Sequence, residues 1–160
     1  MPLPSPLLPF VLWTVATGLR IEETLRLRWR DVDLELGAVS VLGTKTDLSQ
    51  AILPLSAEAV EVLRDYARET MPLNPAAPVF DIAYPNLRYR WEVARKLLGL
   101  SDIPTATLKS LRRSFARRAH LKGMPVDVLR QYLRHSNLKT TQGYLYLVGG
   151  YSQDEMRRWL

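Results

Sequence analysis

Apolar residues along this chain recur with helical spacing except between Asp31 and Leu55, where the period becomes that of a strand. Val39-Ser40-Val41-Leu42 and Ala51-Ile52-Leu53-Pro54-Leu55 flank a polar stretch, Gly43 to Gln50, and together read as a β-hairpin. Pro54 has no N–H to give to a ladder, which suits an edge strand. A hairpin set among long helical blocks confines the chain to an α+β class that is mostly α-helical.

The helical blocks can be placed by their breaks. Leu7 to Ala16 is apolar and uncharged, suits one buried helix, and breaks at Thr17-Gly18. A second short helix is expected over Ile21 to Trp29, with Glu22 and Glu23 in its positive first turn. Ser56 is a good N-cap for a helix over Ala57 to Glu69 whose buried stripe is Val60, Leu63 and Ala67. Met71 to Pro78 reads as a proline-rich loop and Val79-Phe80 as a short strand. Asn86 to Leu98 reads as a basic amphipathic helix, with Trp91, Ala94 and Leu98 inward and Arg88, Arg90, Arg95 and Lys96 outward. Its basic face suits a DNA backbone and suits water equally well. Ser101 to Thr107 links it to a helix around Lys109, which Gly123 ends; Pro125 begins the next. Val126, Leu129 and Leu133 bury that helix, and Leu138 to Leu147 form one more. Beyond Gly149-Gly150, an amphipathic tail offers Met156, Trp159 and Leu160 for packing.

A chain of 160 residues fits a single domain with a real core. Its 22 Lys and Arg against 16 Asp and Glu give +6, which favours an anionic partner, and nucleic acid is the commonest. With no cysteine, a disulfide framework, a thiolate zinc site and a cysteine nucleophile are all excluded. Two histidines, His120 and His135, disfavour a histidine metal cluster. No apolar run reaches the roughly 20 residues of a membrane span.

Chemistry-bearing residues gather between Leu108 and Leu147. Lys109 and Arg112 are three apart on one helix face, and Tyr144 follows His135 by nine residues, with Thr140 and Thr141 between. Arg, Lys and His converging on one point can hold a phosphate and manage its protons, and a tyrosine can serve as nucleophile. Singly, each residue also has a structural reading: a solvated arginine, a helix-end histidine, a half-buried tyrosine. Arg113, Arg117 and His120 make an outer basic stripe that suits duplex phosphates or water.

The order Lys109-x-x-Arg112, Leu133-Arg134-His135-Ser136, Tyr144 resembles the second half of the tyrosine recombinase (phage integrase) catalytic domain. Ala16-Thr17-Gly18-Leu19-Arg20-Ile21-Glu22-Glu23 resembles that family's first arginine box, and Lys45 in Leu42-Gly43-Thr44-Lys45-Thr46 its hairpin lysine. The resemblance runs from about Leu7 to Leu147, and its five elements stand in one order.

The resemblance implies the tyrosine recombinase catalytic-domain fold, with a β-hairpin or three-stranded sheet on one edge. It implies site-specific cutting and rejoining of double-stranded DNA through a 3′-phosphotyrosine, with no cofactor, metal or ATP. Arg20, Lys45, Lys109, Arg112, His135 and Tyr144 would be catalytic, and Glu23 would support the arginines. Arg88, Arg90, Arg113, Arg117 and Arg134 are candidate DNA-backbone contacts. A cytoplasmic protein of a prokaryote or phage is expected, monomeric alone and tetrameric in a synapse on DNA. One catalytic domain is expected over 1–160, without the family's N-terminal core-binding domain, and the tail 149–160 would pack as a helix in trans. Two other readings use the same residues: a non-catalytic DNA-binding remnant, and strand relaxation of the type IB topoisomerase kind.

Three positions depart from the family pattern. Lys109 stands where histidine is commoner. Arg134 stands where glycine commonly precedes the histidine. Tyr146 is a second tyrosine about 200° from Tyr144 around a helix, so the two cannot serve one phosphate equally.

Overall fold

A computed structural model describes residues 6–42, 50–70 and 72–146, the side chains of 145 and 146 excepted. Lys45, the tail 149–160 and the side chain of Tyr146 therefore lie outside the described residues. The chain divides into two compact units, Met1–Arg112 and Arg113–Leu160. The order in the first is α1 (Leu7–Thr17), α2 (Ile21–Arg26), a 3-10 turn (Trp29–Asp31), β1 (Val32–Asp33), β2 (Ala38–Val41), β3 (Ala51–Pro54), α3 (Ala57–Thr70) and α4 (Tyr84–Leu97). Helix α5 (Leu108–Leu121) contains the division, and α6 (Val126–Leu133) and α7 (Leu138–Tyr146) complete the second unit.

In the first unit, the lack of charge in α1 lets it be buried on most sides. Leu7, Phe10, Trp13 and Ala16 are core, and Thr14 and Thr17 are buried because their hydroxyls donate to the i−4 carbonyls of Phe10 and Trp13 at 2.8 Å. Helix α1 packs on α3. An aromatic run joins the parts: Phe10 meets Phe80 edge-on at 5.4 Å, Phe80 stacks on Tyr66 at 5.5 Å, and Tyr66 on Trp29 at 6.4 Å. Burial of each such ring contributes roughly 2–3 kcal/mol. Burial, then Asp81 and Glu69, raise the pKa of the Tyr66 phenol.

The sheet is antiparallel in the order β1-β2-β3, with Val39 opposite Leu53 and Ser40 opposite Ile52. The hairpin is where the period change put it, Pro54 lies on an edge strand, and the two-residue β1 adds the third strand. The mostly helical α+β class with a small antiparallel sheet is the observed one. Ser56 accepts from the Ala59 N–H at 3.2 Å, as an N-cap would.

Some boundaries differ from expectation. The second helix stops at Arg26 rather than Trp29, because Leu27 turns extended and its carbonyl accepts from Val79. Val79-Phe80 is not a strand: a single bridge joins Arg28 to Pro78, and both apolar residues go into the core instead. Tyr66 replaces Ala67 on the fully buried stripe of α3. Helix α4 begins two residues earlier than Asn86, since Pro85 is tolerated in a first turn. Leu87 and Ala94 are its buried residues, whereas Leu98 is 60% exposed just past its end.

In the second unit, Ala116, Leu129 and Leu133 form a buried cluster, with Phe115, Ala119, Met124, Tyr132 and Tyr144 against it. Gly123, at φ 96°, closes α5 with its N–H on the His120 carbonyl and the Met124 N–H on Ala119. Pro125 is the N-cap of α6.

Candidate active site

The turn joining α1 to α2 builds the first cluster. Gly18 ends α1 in the left-handed conformation, φ 65° and ψ 14°, with its N–H on the Thr14 carbonyl at 2.8 Å. The carbonyl of Gly18 then accepts from Arg112 Nη1 at 2.6 Å. Arg112 is 6% exposed, so a long-range bond from α5 fixes its guanidinium at this turn. Two residues on, Arg20 is the N-cap of α2. Glu23 holds it twice: Oε2 accepts from the Arg20 backbone N–H and Oε1 from Nη1, each at 2.9 Å. The Glu23 side chain is 1% exposed and that of Arg20 36% exposed. A buried carboxylate with two charge-assisted bonds orients the arginine it holds. The turn thus holds Arg112 at the Gly18 carbonyl, and two residues on Arg20 is held by Glu23. Lys109 shares α5 with Arg112 but is exposed.

In the second unit the chain reverses between α6 and α7. The N–H of Arg134 bonds to the Gln131 carbonyl at 2.9 Å and that of His135 to Arg130 at 3.1 Å, a Schellman closure. The motif needs a left-handed residue at its first position, and Arg134 takes φ 54° and ψ 43°. It is the sole non-glycine with positive φ among the described residues. His135, 7% exposed, follows this reversal. Its Nδ1 lies 2.8 Å from Oγ1 of the fully buried Thr141. Its ring meets that of Tyr144 edge-on, centroids 5.1 Å apart. Tyr144 is half-buried on α7, against the apolar cluster.

Of the candidate DNA contacts, Arg88 and Arg117 are exposed and Arg90, Arg113 and Arg134 are partly exposed. Arg95, counted with the basic face of α4, is occupied otherwise. It binds Glu92 at 2.9 Å and reaches the carbonyls of Leu100, Ser101 and Ile103, holding the loop after the helix. No helix among the described residues is long and apolar enough to cross a membrane.

Residues 2–148 match the sequence profile of the phage integrase family. The chain belongs to that family. A XerD tyrosine recombinase of Yersinia pestis is 30% identical over 141 residues, 82% of this chain and 46% of that protein. A probable integrase/recombinase protein of Methanocaldococcus jannaschii is 29% identical over 150 residues, 85% of this chain and 43% of that protein. The chain thus spans less than half the length of these curated relatives. Among solved structures, XerA recombinase superposes with a TM-score of 0.69 at 22% identity, covering 94% of this chain and 55% of that one. A lambda integrase dimer bound to a COC′ core site gives 0.69 at 24% identity, with 88% and 42% covered. These likenesses are likenesses of fold: a mostly helical phage integrase domain with a three-stranded sheet.

Two partners in the site leave no mark in the sequence that identifies them. The sequence marks Gly18 as a helix break but not as the acceptor for Arg112, because a bond between residues 94 apart leaves no local signal. For Thr141 the sequence shows only a place between His135 and Tyr144. Its spacing of six from His135 crosses a reversal, so helical periodicity could not pair the two.

Proposed function

We propose that this chain is the catalytic domain of a site-specific recombinase that cuts and rejoins double-stranded DNA through Tyr144. The edge-on pairing of Tyr144 with the buried, hydrogen-bonded His135 carries this reading. The Tyr144 phenolic oxygen attacks the scissile phosphorus in line, and the bond from phosphorus to the 5′-oxygen breaks. The phenol loses a proton and the departing 5′-oxygen gains one. One phosphodiester replaces another, so the 3′-phosphotyrosine keeps the energy needed for religation without ATP or metal. Arg20 and Arg112 stabilise the negative charge that builds on the non-bridging oxygens. His135 hydrogen-bonds the same phosphate. Lys45 acts as general acid on the 5′-oxygen, and Lys109 serves in proton transfer. Glu23 positions Arg20 and does not itself react.

Arg88, Arg90, Arg113, Arg117 and Arg134 contact the DNA backbone in this reading, which fits the net charge of +6. The protein works in the cytoplasm of a prokaryote or on behalf of a phage. It is a monomer alone and part of a tetrameric synapse on DNA, with the tail 149–160 docking on a neighbouring protomer. The test is covalent trapping on a mixed-sequence pool of duplexes with bridging 5′-phosphorothiolates. A protein–DNA adduct is expected from the wild type and from Tyr146→Phe, and none from Tyr144→Phe. An undiminished adduct in Tyr144→Phe would overturn the assignment.

A further inference from the structure

We infer that Thr141 is a positioning residue that holds His135 in the tautomer carrying its proton on Nε2. The role of that tautomer in catalysis rests on the function proposed above. Thr141 Oγ1 lies 2.8 Å from His135 Nδ1, and Thr141 is 0% exposed. A buried hydroxyl has one proton to place, and leaving it unplaced costs about 1–3 kcal/mol.

Buried threonines on a helix can give that proton to the carbonyl four residues back. Thr14 and Thr17 do so, at 2.8 Å each. Thr141 does not: among the described residues its hydroxyl has His135 Nδ1 as its hydrogen-bond partner. The hydroxyl therefore donates to Nδ1, and Nδ1 is the unprotonated ring nitrogen. A neutral imidazole then carries its proton on Nε2, making that nitrogen the donor.

Thr141 and Tyr144 lie three residues apart on α7, one turn along the helix. The hydroxyl thus ties the histidine ring to the helix that carries the proposed nucleophile. His135 arrives there from the other side, on the Schellman reversal at the end of α6. The ring is held at Nδ1 by α7 and at its backbone by α6, so its orientation does not depend on bound DNA. A donor at Nε2 suits a phosphate oxygen; the other tautomer would present a lone pair there, which a phosphate repels.

The tautomer is read directly from long-range proton–nitrogen NMR of the full chain, labelled with 15N-histidine, at a pH where the ring is neutral. His120 is the one other histidine, and His120→Gln assigns the signals. The wild type is expected to show His135 with its proton on Nε2. Thr141→Val, which keeps the shape and loses the hydroxyl, should shift the ring toward a mixture, and Thr141→Ser should restore it. A wild-type ring protonated on Nδ1 overturns the inference by itself, whether or not any variant folds. So does a valine variant with an unchanged tautomer.

The same variants are then compared for adduct formation on the phosphorothiolate pool. Thr141→Val should slow adduct formation about 10-fold or more with DNA affinity unchanged, and serine should restore most of the rate. An unaltered rate would sever the tautomer from catalysis. If even the wild type forms no adduct while the tautomer behaves as stated, the proposed function fails and the tautomer assignment stands.

Discussion

Arg134 keeps a side chain in a conformation that costs an L-residue about 1–2 kcal/mol, and the Schellman bonds on either side require it. The cost can be separated from the side chain's own contacts by comparing two variants. Arg134→Ala removes the guanidinium and keeps the strain; Arg134→Gly removes both. The glycine variant should be more stable than the alanine variant by about 1 kcal/mol in urea unfolding, the reverse of the order at an ordinary helical site. Alanine equal to or above glycine would contradict the left-handed assignment. Glu23 is a different case, since its two oxygens each accept a bond from Arg20. Glu23→Gln replaces one acceptor with an NH2 group facing a donor. A loss of about 1–3 kcal/mol is expected, with weaker adduct formation as Arg20 loosens; unchanged stability would mean Glu23 is not the anchor. The contact between Glu23 and Arg20 was legible because a spacing of three on a helix start is local. The Gly18 and Thr141 contacts were not, because each depends on where a distant segment returns.

Helices and strands were legible where one periodic signal ran for more than about two turns. α3 follows that rule, whereas α1 shows as an uncharged apolar run and the hairpin as two short alternating segments around a polar stretch. The two-residue β1 is too short to carry a period, and Val79-Phe80 carries the β-branched and aromatic signal of a strand while serving as core. Both ends of α4 escape the periodic pattern, because proline can open a helix and because Leu97 and Leu98 stay exposed. The aromatic run at Tyr66 yields a test of the first unit's packing. Its phenol has a raised pKa, so the folded state holds its proton at a pH where the unfolded chain has released it. That contribution is complete below the usual tyrosine value of about 10 and fades as pH rises through the folded value. Unfolding free energy should therefore fall above about pH 10, and Tyr66→Phe should flatten part of that fall. An identical pH dependence in the phenylalanine variant would place the cause elsewhere.

For the molecule entire, charge and covalent chemistry make separate claims. The excess of 22 cationic over 16 anionic residues predicts DNA binding that weakens with salt and varies little with sequence. Exposed Arg88 and Arg117, changed singly to alanine, should each reduce the slope of log K against log salt by about 0.9, alike on unrelated duplexes. An unchanged slope would remove that arginine from the interface. The covalent claim is more central and has a more direct measurement. Tryptic digestion of the trapped adduct should release residues 140–157, a peptide holding Tyr144, Tyr146 and Tyr151. Fragment masses then locate the nucleotide remnant among the three. The remnant is expected on Tyr144, the ring that stands against His135; a remnant on Tyr146 or Tyr151 would contradict the proposed chemistry.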